Sequence, residues 1–203
     1  MSVKQQILDK AEGLFLRLGI RSVTMEELAR ELGISKKTLY QFVENKADLI
    51  NQIILNSTEN EKRCIAQFRE ESDDAIEEML NIAEFVLQTL RKISPAAIYD
   101  LQKYYRESWN AMEAMHKKYI YSTIRDNLDR GIEQGVYRSD LNPDIIAKLY
   151  VGKTSFITDE EIFPLEEYRR DDLYEEFINY HIHGIASPKG LELLEKHLDK
   201  QKT

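Results

Sequence analysis

The chain has 203 residues, of which 42% are hydrophobic and 32% charged, and its net charge is −8 at pH 7. This length suits one domain or a small module joined to a larger one, and the composition is too apolar for a disordered protein. No stretch reaches the roughly 20 apolar residues of a membrane span, and the N-terminus lacks an apolar signal core. The single cysteine, Cys64, excludes an internal disulfide and any cysteine-based metal site. We therefore expect a cytoplasmic protein that is not bound to a membrane.

The negative charge is distributed unevenly along the chain. The first 50 residues hold eight basic and seven acidic side chains, a net charge of +1, whereas the remainder carries −9. The whole-chain sum therefore does not exclude nucleic-acid binding by the N-terminal segment. What matters is whether its few cations share one face.

Glycine and proline placement predicts an all-helical chain. No glycine occurs between Gly33 and Gly131, and three prolines follow a residue that can cap a helix, in Ser94-Pro95, Asn142-Pro143 and Ser187-Pro188. Proline directly behind such a cap is typical of a helix start. Apolar residues recur at helical intervals without the sustained alternation of strands, so we expect an all-α fold of about nine or ten helices.

Residues 24–46 contain the most informative pattern. Thr24-Met25-Glu26-Glu27 is a capping box that begins a short helix, and Gly33 supplies the left-handed residue that ends it. Ser35 is placed to cap a second helix, which is expected over about residues 36–42. Two short helices joined by a glycine-containing turn form a helix-turn-helix.

The second helix has one polar face that suits a DNA major groove. Leu39 and Phe42 are directed to the core. The opposite face carries Lys36, Lys37, Tyr40 and Gln41. Lysine can bond guanine or phosphate, glutamine can pair with adenine, and the hydroxyls of Thr38 and Tyr40 can bind phosphates. Asn45 is placed to cap a further helix. The free backbone amides at the start of that helix, together with the Lys46 side chain, could bind another phosphate. Two amphipathic helices with ordinary surface lysines would show the same pattern, so both interpretations stay open here.

Residues 33–49, Gly-Ile-Ser-Lys-Lys-Thr-Leu-Tyr-Gln-Phe-Val-Glu-Asn-Lys-Ala-Asp-Leu, resemble the signature of the tetracycline-repressor (TetR) family. The detailed resemblance covers roughly residues 5–52, and residues 131–138 resemble the end of the family's long central helix. The segment Gln41-Phe42-Val43 departs from the family pattern, in which many members have an aromatic pair after a polar residue. This departure bears on phosphate contacts and operator choice rather than on the fold.

The resemblance implies a homodimeric transcriptional regulator, usually a repressor, that releases its DNA operator when a small molecule binds. It implies a three-helix helix-turn-helix DNA-binding domain over residues 1–52 and a larger helical ligand-binding and dimerisation domain over residues 53–203. By position, the expected phosphate contacts are Thr24, Ser35, Thr38, Tyr40 and Lys46, and the expected base-reading residues are Lys36, Lys37 and Gln41. The expected partners are double-stranded DNA, a second copy of the chain and an unidentified small-molecule effector. An activator could use the same DNA contacts.

The resemblance also places dimer contacts on the last two long helices, here about residues 143–157 and 165–186. One stripe of the last helix could be buried across a twofold axis, or could pack within its own subunit. It consists of Leu173, Phe177, Tyr180, His181 and Gly184. Residues 188–203 look like an additional terminal helix without an assigned role.

Large side chains at helical spacing could line an effector cavity, although such side chains also form ordinary core. The candidates are Phe85, Tyr104, Trp109, Met112, Met115, Tyr119 and Tyr150. Their largely apolar character favours an apolar ligand.

The sequence predicts no catalytic site, no cofactor and no metal centre. Nucleophile-elbow, P-loop and dinucleotide-binding motifs are missing. Glu113 and His116 form one E-x-x-H pair, whereas a di-iron bundle uses two such pairs and further glutamates. His181 and His183 are two residues apart and point to different sides of a helix. Two less favoured hypotheses remain, a helical interaction protein without DNA affinity and a helical-bundle metalloenzyme.

Overall fold

The computed structural model describes residues 2–201 except 158, 160 and 165. The described chain forms ten α-helices: α1 Val3–Leu18, α2 Met25–Glu31, α3 Lys36–Leu39, α4 Lys46–Glu71, α5 Ala75–Lys92, α6 Pro95–Tyr104, α7 Arg106–Glu133, α8 Pro143–Phe156, α9 Arg170–Ile185 and α10 Pro188–Gln201. The β-type pairing found in this part of the chain is an isolated antiparallel bridge between Tyr137 and Ala186. The all-α prediction is confirmed. Within the described ranges, none of the helices combines the length and the apolarity that crossing a bilayer requires.

The three proline-marked helix starts are confirmed. The Ser94 hydroxyl accepts a hydrogen bond from a backbone amide at the start of α6. Asn142 Oδ1 accepts one from the amide of Ile145 (3.2 Å), and the Ser187 hydroxyl accepts one from the amide of Gly190 (3.1 Å). Each cap satisfies a backbone donor that the first helical turn leaves without an intrahelical partner.

The chain packs as two compact units. The first consists of Met1–Arg63 and Arg91–Met115, and the second of Cys64–Leu90 and His116–Thr203. The first unit therefore contains α1–α3, the N-terminal part of α4, α6 and the start of α7. This unit is larger than the DNA-binding domain that the resemblance implies, residues 1–52, because it extends to Arg63 and also includes Arg91–Met115.

Direct contacts with α1 and the following turn explain why α6 belongs to the first unit. The amide of Ser94 donates to the carbonyl of Leu16 (2.8 Å). The carboxylate of Asp100 accepts a hydrogen bond from the amide of Arg21 (2.8 Å). These bonds attach α6 to the polypeptide just before the helix-turn-helix.

The core of the first unit is apolar and comes from α1–α4 and their connections. Its most buried members are Ile7, Ala11, Leu28, Ala29, Leu39, Leu49 and Ile50. Leu28, Leu39 and Leu49 have no exposed surface. Because these three side chains lie on α2, α3 and α4, one shared core fixes the helix-turn-helix and the helix that follows it.

The core of the second unit encloses a small polar network. Tyr137, which is 1% exposed, directs its hydroxyl to Asn127 Oδ1 (2.8 Å) and to the carbonyl of Ala75 (3.0 Å). Asn127 also donates to the Ala75 carbonyl (3.0 Å). Burial raises the pKa of Tyr137 well above its ordinary value, so the hydroxyl stays protonated as a donor. Gly131 allows the ring to lie against α7, because a Cβ atom there would be 2.0 Å from the ring.

The terminal helix α10 is present, as expected, and packs against the start of α5. Leu194 is buried, and His197 Nε2 lies 2.9 Å from a carboxylate oxygen of Asp74. At Gly190 a Cβ atom would lie 2.0 Å from the carbonyl oxygen of Val136, so only glycine permits this approach. Residues 188–201 therefore belong to the packed structure of the second unit.

Replacing Tyr137 with phenylalanine tests the polar network. Tyr137→Phe leaves the buried Asn127 Oδ1 without its donor, so we expect the free energy of unfolding to fall by about 1–3 kcal/mol. The measurement is urea denaturation followed by circular dichroism, at one protein concentration for all variants. Tyr168→Phe, at an exposed tyrosine, is the matched control and should change stability by less than about 0.5 kcal/mol. Equal stabilities for Tyr137→Phe and the wild-type protein would contradict a stabilising role for the network.

Candidate nucleic-acid interface

The helix-turn-helix begins with a reciprocal cap at the start of α2. The hydroxyl of Thr24 accepts a hydrogen bond from the amide of Glu27 (3.1 Å), and the Glu27 carboxylate accepts one from the amide of Thr24 (2.8 Å). Hydrogen bonds to the charged carboxylate, first that from the Thr24 amide, lower the pKa of Glu27 below its ordinary value. The predicted capping box is confirmed.

Gly33 ends this helical segment and directs the chain into α3. Its φ is 67°, in the left-handed region. The amides of Gly33 and Ile34 donate to the carbonyls of Arg30 and Ala29 (3.1 and 3.0 Å), which is the Schellman arrangement at a helix end. The space beside Gly33 is open, so it is the backbone angle, rather than crowding, that requires glycine.

The structure ends α3 earlier than the sequence predicts. The expected helix covered residues 36–42, but the observed one stops at Leu39. The amides of Gln41 and Phe42 bond to carbonyls three residues back (3.1 and 3.0 Å) rather than four. This tighter turn, together with the burial of Val43 at 4% exposure, leads the chain towards α4.

The polar face of α3 lies at the surface. Leu39 is completely buried, whereas Lys36, Lys37, Tyr40 and Gln41 are all exposed. The ammonium of Lys36 is 4.0 Å from the carboxylate of Glu26, and both side chains are more than half exposed. Because such a surface ion pair is weak, the ammonium can exchange it for a phosphate or a base. The arrangement therefore presents two cations, a phenol and an amide together on one face.

The hydroxyl groups predicted to contact phosphates also serve as helix caps. The Ser35 hydroxyl accepts a hydrogen bond from the amide of Thr38 (3.0 Å) and lies 2.8 Å from the Thr38 hydroxyl. One hydrogen suffices for the bond between the two hydroxyls, so this pair retains a second hydrogen for a phosphate. The hydroxyl of Thr24 instead donates to the Glu27 carboxylate (2.9 Å). A phosphate contact by Thr24 would require its hydroxyl to leave that carboxylate.

Lys46 has an intramolecular role that the sequence did not reveal. Its Nζ donates to the carbonyl oxygens of Ile20 and Val23 and lies 5.5 Å from the ring centroid of Phe15. Burial lowers the pKa of Lys46, against the opposing effect of nearby carboxylates such as that of Asp100. The ammonium thus ties the turn between α1 and α2 to the first residue of α4. Contact of Lys46 with a DNA phosphate stays a prediction.

Asn45 caps α4, as its sequence position predicts. Its Oδ1 accepts a hydrogen bond from the amide of Asp48 (2.9 Å). The Asp48 carboxylate in turn accepts hydrogen bonds from the amide of Glu44 and the side chain of Gln52 (2.9 Å each). A carboxylate therefore already lies at the helix end that was expected to attract a phosphate.

The residues predicted to line an effector cavity fall in both compact units. Tyr104, Met112 and Met115 line one groove of the first unit. The groove also takes in Ala47, Asn51, Ile54 and Leu55 of α4 and Tyr105–Ser108 and Ala111. Trp109 belongs to the same unit and is half-buried.

The other three predicted cavity residues belong to the second unit. The ring of Phe85 contacts that of Phe68 edge-on, with centroids 6.0 Å apart. Tyr150 is buried, its hydroxyl lies 3.3 Å from that of Tyr174, and burial raises its pKa to about 12. Tyr119 is half-buried. Tyr150 is therefore part of the packed interior and also lines a groove of this unit, whereas Phe85 is only half-buried.

The stripe predicted for dimer contacts divides between the core and the surface of its own unit. Phe177 and His181 are each 7% exposed, and both rings lie 4.9 Å from the ring centroid of Tyr150. Leu173 is half-buried, whereas Tyr180 (70% exposed) and Gly184 lie at the surface. For Phe177 and His181 the structure thus shows packing within the subunit, because the docking of α8 covers that side of α9.

A second exposed stripe lies on α8, within the range 143–157 that the resemblance assigns to dimer contacts but outside the five residues named for them. Ile145, Leu149 and Phe156 are 53%, 54% and 51% exposed, and Gly152 between them is exposed as well. Their spacing of three or four residues puts all four on one helix face. The same spacing is visible in the sequence, but apolar residues at helical spacing more often indicate core.

The described residues contain no group of three or more histidine, cysteine, aspartate and glutamate side chains that could hold a metal ion. Glu113 and His116 lie on α7. Of the two neighbouring histidines on α9, His181 is buried and His183 is exposed. Burial, and secondly the charge of Lys153, lower the pKa of His181 to about 4, so its imidazole is neutral at physiological pH.

Comparisons with known proteins relate this geometry to one family. The family model described as "Bacterial regulatory proteins, tetR family" matches residues 7–53. The helix-turn-helix transcriptional regulator YvaF of Bacillus subtilis (strain 168) is 26% identical over 175 residues, which cover 82% of this chain and 87% of that protein. The transcriptional repressor KstR2 of Rhodococcus jostii (strain RHA1) is 19% identical over 193 residues, which cover 91% of this chain and 92% of that protein.

A solved structure with the same fold is that of a TetR-family transcriptional regulator from Agrobacterium tumefaciens. The two structures superpose with a TM-score of 0.70 at 14% identity, and the match covers 91% of this chain and 97% of the other. The residues matched by the family model span α1–α3 and the start of α4, where the exposed polar face lies. The helix-turn-helix of this chain is therefore that of the TetR family of bacterial regulatory proteins, and the chain has the fold of a TetR-family transcriptional regulator.

Proposed function

We propose that the protein is a homodimeric repressor that acts in the cytoplasm and leaves its DNA operator when a small molecule binds. The observation that carries the proposal is the polar face of α3, which the buried Leu39 holds outward. In the complex, α3 lies in the major groove with Lys36 and Lys37 at base edges and Tyr40 near a phosphate. Two copies related by a twofold axis place their α3 helices about 34–36 Å apart on a near-palindromic site.

Repression is the direction of regulation that a relative supports, because KstR2 of Rhodococcus jostii is a transcriptional repressor. A dimer that occupies an operator excludes other proteins from the same stretch of DNA. An activator would bind through the same residues, so the sign of regulation needs its own readout, a promoter fused to a reporter gene.

The groove of the first unit supports release by a small, largely apolar molecule. Leu55 of α4 and Met112 and Met115 of α7 supply apolar lining, and Tyr104 supplies a hydroxyl. The α4 wall of this groove directly follows Lys46, whose ammonium holds the turn before α2. A ligand that binds better when α4 is displaced would therefore favour a second position of the helix-turn-helix.

Exposed apolar surface on the second unit supports association with a second copy. Ile145, Leu149 and Phe156 on α8 and Tyr180 on α9 are each more than half exposed. A contiguous set of large apolar and aromatic side chains at a surface is typical of a protein interface. Of the residues predicted for dimer contacts, Tyr180 and Gly184 would make them directly because both are exposed, and Phe177 and His181 would support them from the core.

Selection of bound fragments from the source organism's genomic DNA tests the proposed function. Purified protein at physiological salt should enrich fragments that share an inverted repeat, because two copies present the same recognition surface to the two half-sites. A reporter gene placed behind the enriched site should be expressed less when the protein is present. Its expression should rise when the effector, sought first among the substrates of the neighbouring gene products, is added.

Absence of enrichment, at low salt as well as at physiological salt, would contradict the proposal and favour an interaction protein without DNA affinity. Enrichment of a single, non-repeated site would contradict the dimeric mode of binding. Increased reporter expression in the presence of the protein would contradict repression but leave the DNA contacts intact.

Removing the polar face of α3 tests its role as the recognition element. The combined variant Lys36→Ala, Lys37→Ala and Tyr40→Ala should bind the selected operator at least about 100-fold more weakly, because each base or phosphate contact contributes about 1–3 kcal/mol. Competition titration with labelled operator DNA measures the loss. The unfolding midpoint should stay close to that of the wild-type protein, since all three side chains are exposed.

The matched control removes two cations elsewhere, by Lys118→Ala and Lys196→Ala at exposed positions of the second unit. This control has the same net charge as the triple variant and should keep operator affinity within about threefold. Specific binding that survives the triple substitution would show that another element reads the operator.

The salt dependence of DNA binding separates the two roles considered for Lys46. Lys46→Met removes the bonds to the carbonyls of Ile20 and Val23, so we expect a loss of about 1–3 kcal/mol in stability. Affinity should fall equally for operator and random DNA, because the whole helix-turn-helix is less well held. The slope of log K against log salt concentration should change by much less than the roughly 0.9 that one phosphate contact contributes.

Lys37→Ala is the comparison for this measurement, because Lys37 is exposed on α3. At a base edge in the major groove its ammonium still displaces counterions from the DNA, so its removal should lower the magnitude of the salt slope by up to about one. A slope reduction of that size in Lys46→Met, with unchanged stability, would instead establish Lys46 as a phosphate contact.

A further inference from the structure

A carboxylate lies beside the polar face of α3. Glu26 is the second residue of α2, its side chain is 83% exposed, and its carboxylate is 4.0 Å from the ammonium of Lys36. Lys36 is the first residue of α3, and the N-terminal residues of a recognition helix are those that meet base edges. The Glu26 carboxylate therefore reaches the part of the surface that would face the bases.

The capping of α2 does not account for Glu26. The capping box uses Glu27, which exchanges hydrogen bonds with Thr24. Glu31, the third carboxylate of this helix, lies 2.9 Å from the ammonium of Lys10. A negative charge near the start of a helix is favourable, but Glu27 already supplies it. Glu26 differs from both other carboxylates because the ion pair that the structure shows for it is with the polar face of α3.

A carboxylate is unfavourable at most positions on DNA. Phosphates repel it, and so do base acceptors such as guanine O6 and N7. When the ammonium of Lys36 turns to a base, the carboxylate of Glu26 loses its partner. It then needs a hydrogen-bond donor, because an ion enclosed in a contact without a partner is costly. In the major groove the donors are the amino groups of cytosine (N4) and adenine (N6).

The neighbouring atoms favour cytosine over adenine as the donor. Adenine N6 lies between two acceptors, N7 of the same base and O4 of the paired thymine, and both repel a carboxylate. Cytosine N4 has one such neighbour, guanine O6, to which a lysine can donate. An ammonium beside a carboxylate, as in Lys36 and Glu26, therefore matches the acceptors and the donor of one G·C pair.

We propose that Glu26 is a specificity-determining residue of the DNA interface, which accepts a hydrogen bond from cytosine N4 of a G·C pair while Lys36 donates to the guanine. At other base pairs the carboxylate meets acceptors or phosphates and weakens the complex. The inference rests on the proposed function, because it needs α3 in the major groove. It adds that selection of the operator comes from a repelled group as well as from the cations.

Replacing each base pair of the selected operator in turn, in both half-sites, tests the proposal. Competition titration should find one position in each half-site at which the wild-type protein prefers G·C to A·T by at least about fivefold. Glu26→Ala should lose this preference to within about twofold and keep the preferences at other positions. Lys36→Ala should lose it at the same position. Glu26→Ala should also bind random DNA more tightly than the wild-type protein does, because a repelling charge is removed.

Glu31→Ala is the matched control, since it removes the same charge from the same helix, on the side that pairs with Lys10. It should keep every base preference of the wild-type protein. The unfolding midpoints of all three variants, followed by circular dichroism, should stay close to the wild-type value, because Glu26, Glu31 and Lys36 are exposed. A lower midpoint for Glu26→Ala, with affinity reduced equally for all sequences, would show a structural role and overturn the proposal.

Wild-type preferences at every position in Glu26→Ala would overturn the role of Glu26 and leave the proposed function standing. Loss of preference at different base pairs in Glu26→Ala and Lys36→Ala would overturn the shared G·C pair. A wild-type protein that selects no operator would overturn the inference and the proposed function together.

Discussion

A helix of four residues does not hold its shape in water, because a single turn fixes several dihedral angles for very few hydrogen bonds. Helix α3 has this length, so its conformation depends on the burial of Leu39 in the core of the first unit and on the Ser35 cap. The polar side chains can face outward only because Leu39 faces inward. The exposure of Lys36 and Lys37 on one face is therefore a property of the apolar core.

The features that sequence alone predicted are those that act within a few residues of the chain. The Thr24 cap and the left-handed Gly33 belong to this group, and the structure shows both. The environment of Lys46 depends on carbonyls more than 20 residues earlier, so a motif that places it at a helix start does not reveal its burial. The sequence also could not tell whether Phe177 packs within its own subunit or against a second copy. That outcome depends on the contact between its ring and that of Tyr150 on α8, which is distant in the sequence.

The turn between α1 and α2 is held by two helices of the first unit. From α4, Lys46 donates to the carbonyls of Ile20 and Val23, and from α6, Asp100 accepts a hydrogen bond from the amide of Arg21. Both attachments use backbone groups of the turn, so they constrain its path whatever side chains it carries. A movement of either helix thus reaches the start of α2 through direct hydrogen bonds, without passing through the apolar core.

The uneven distribution of charge also limits how the protein can meet DNA. The chain beyond residue 50 carries a net −9, and the first 50 residues carry +1. Phosphates repel the acidic part at separations up to a screening length of about 8 Å at physiological salt. Any attraction to DNA therefore has to come from a local group of cations, such as Lys36 and Lys37 on α3, and it weakens as salt screens these charges.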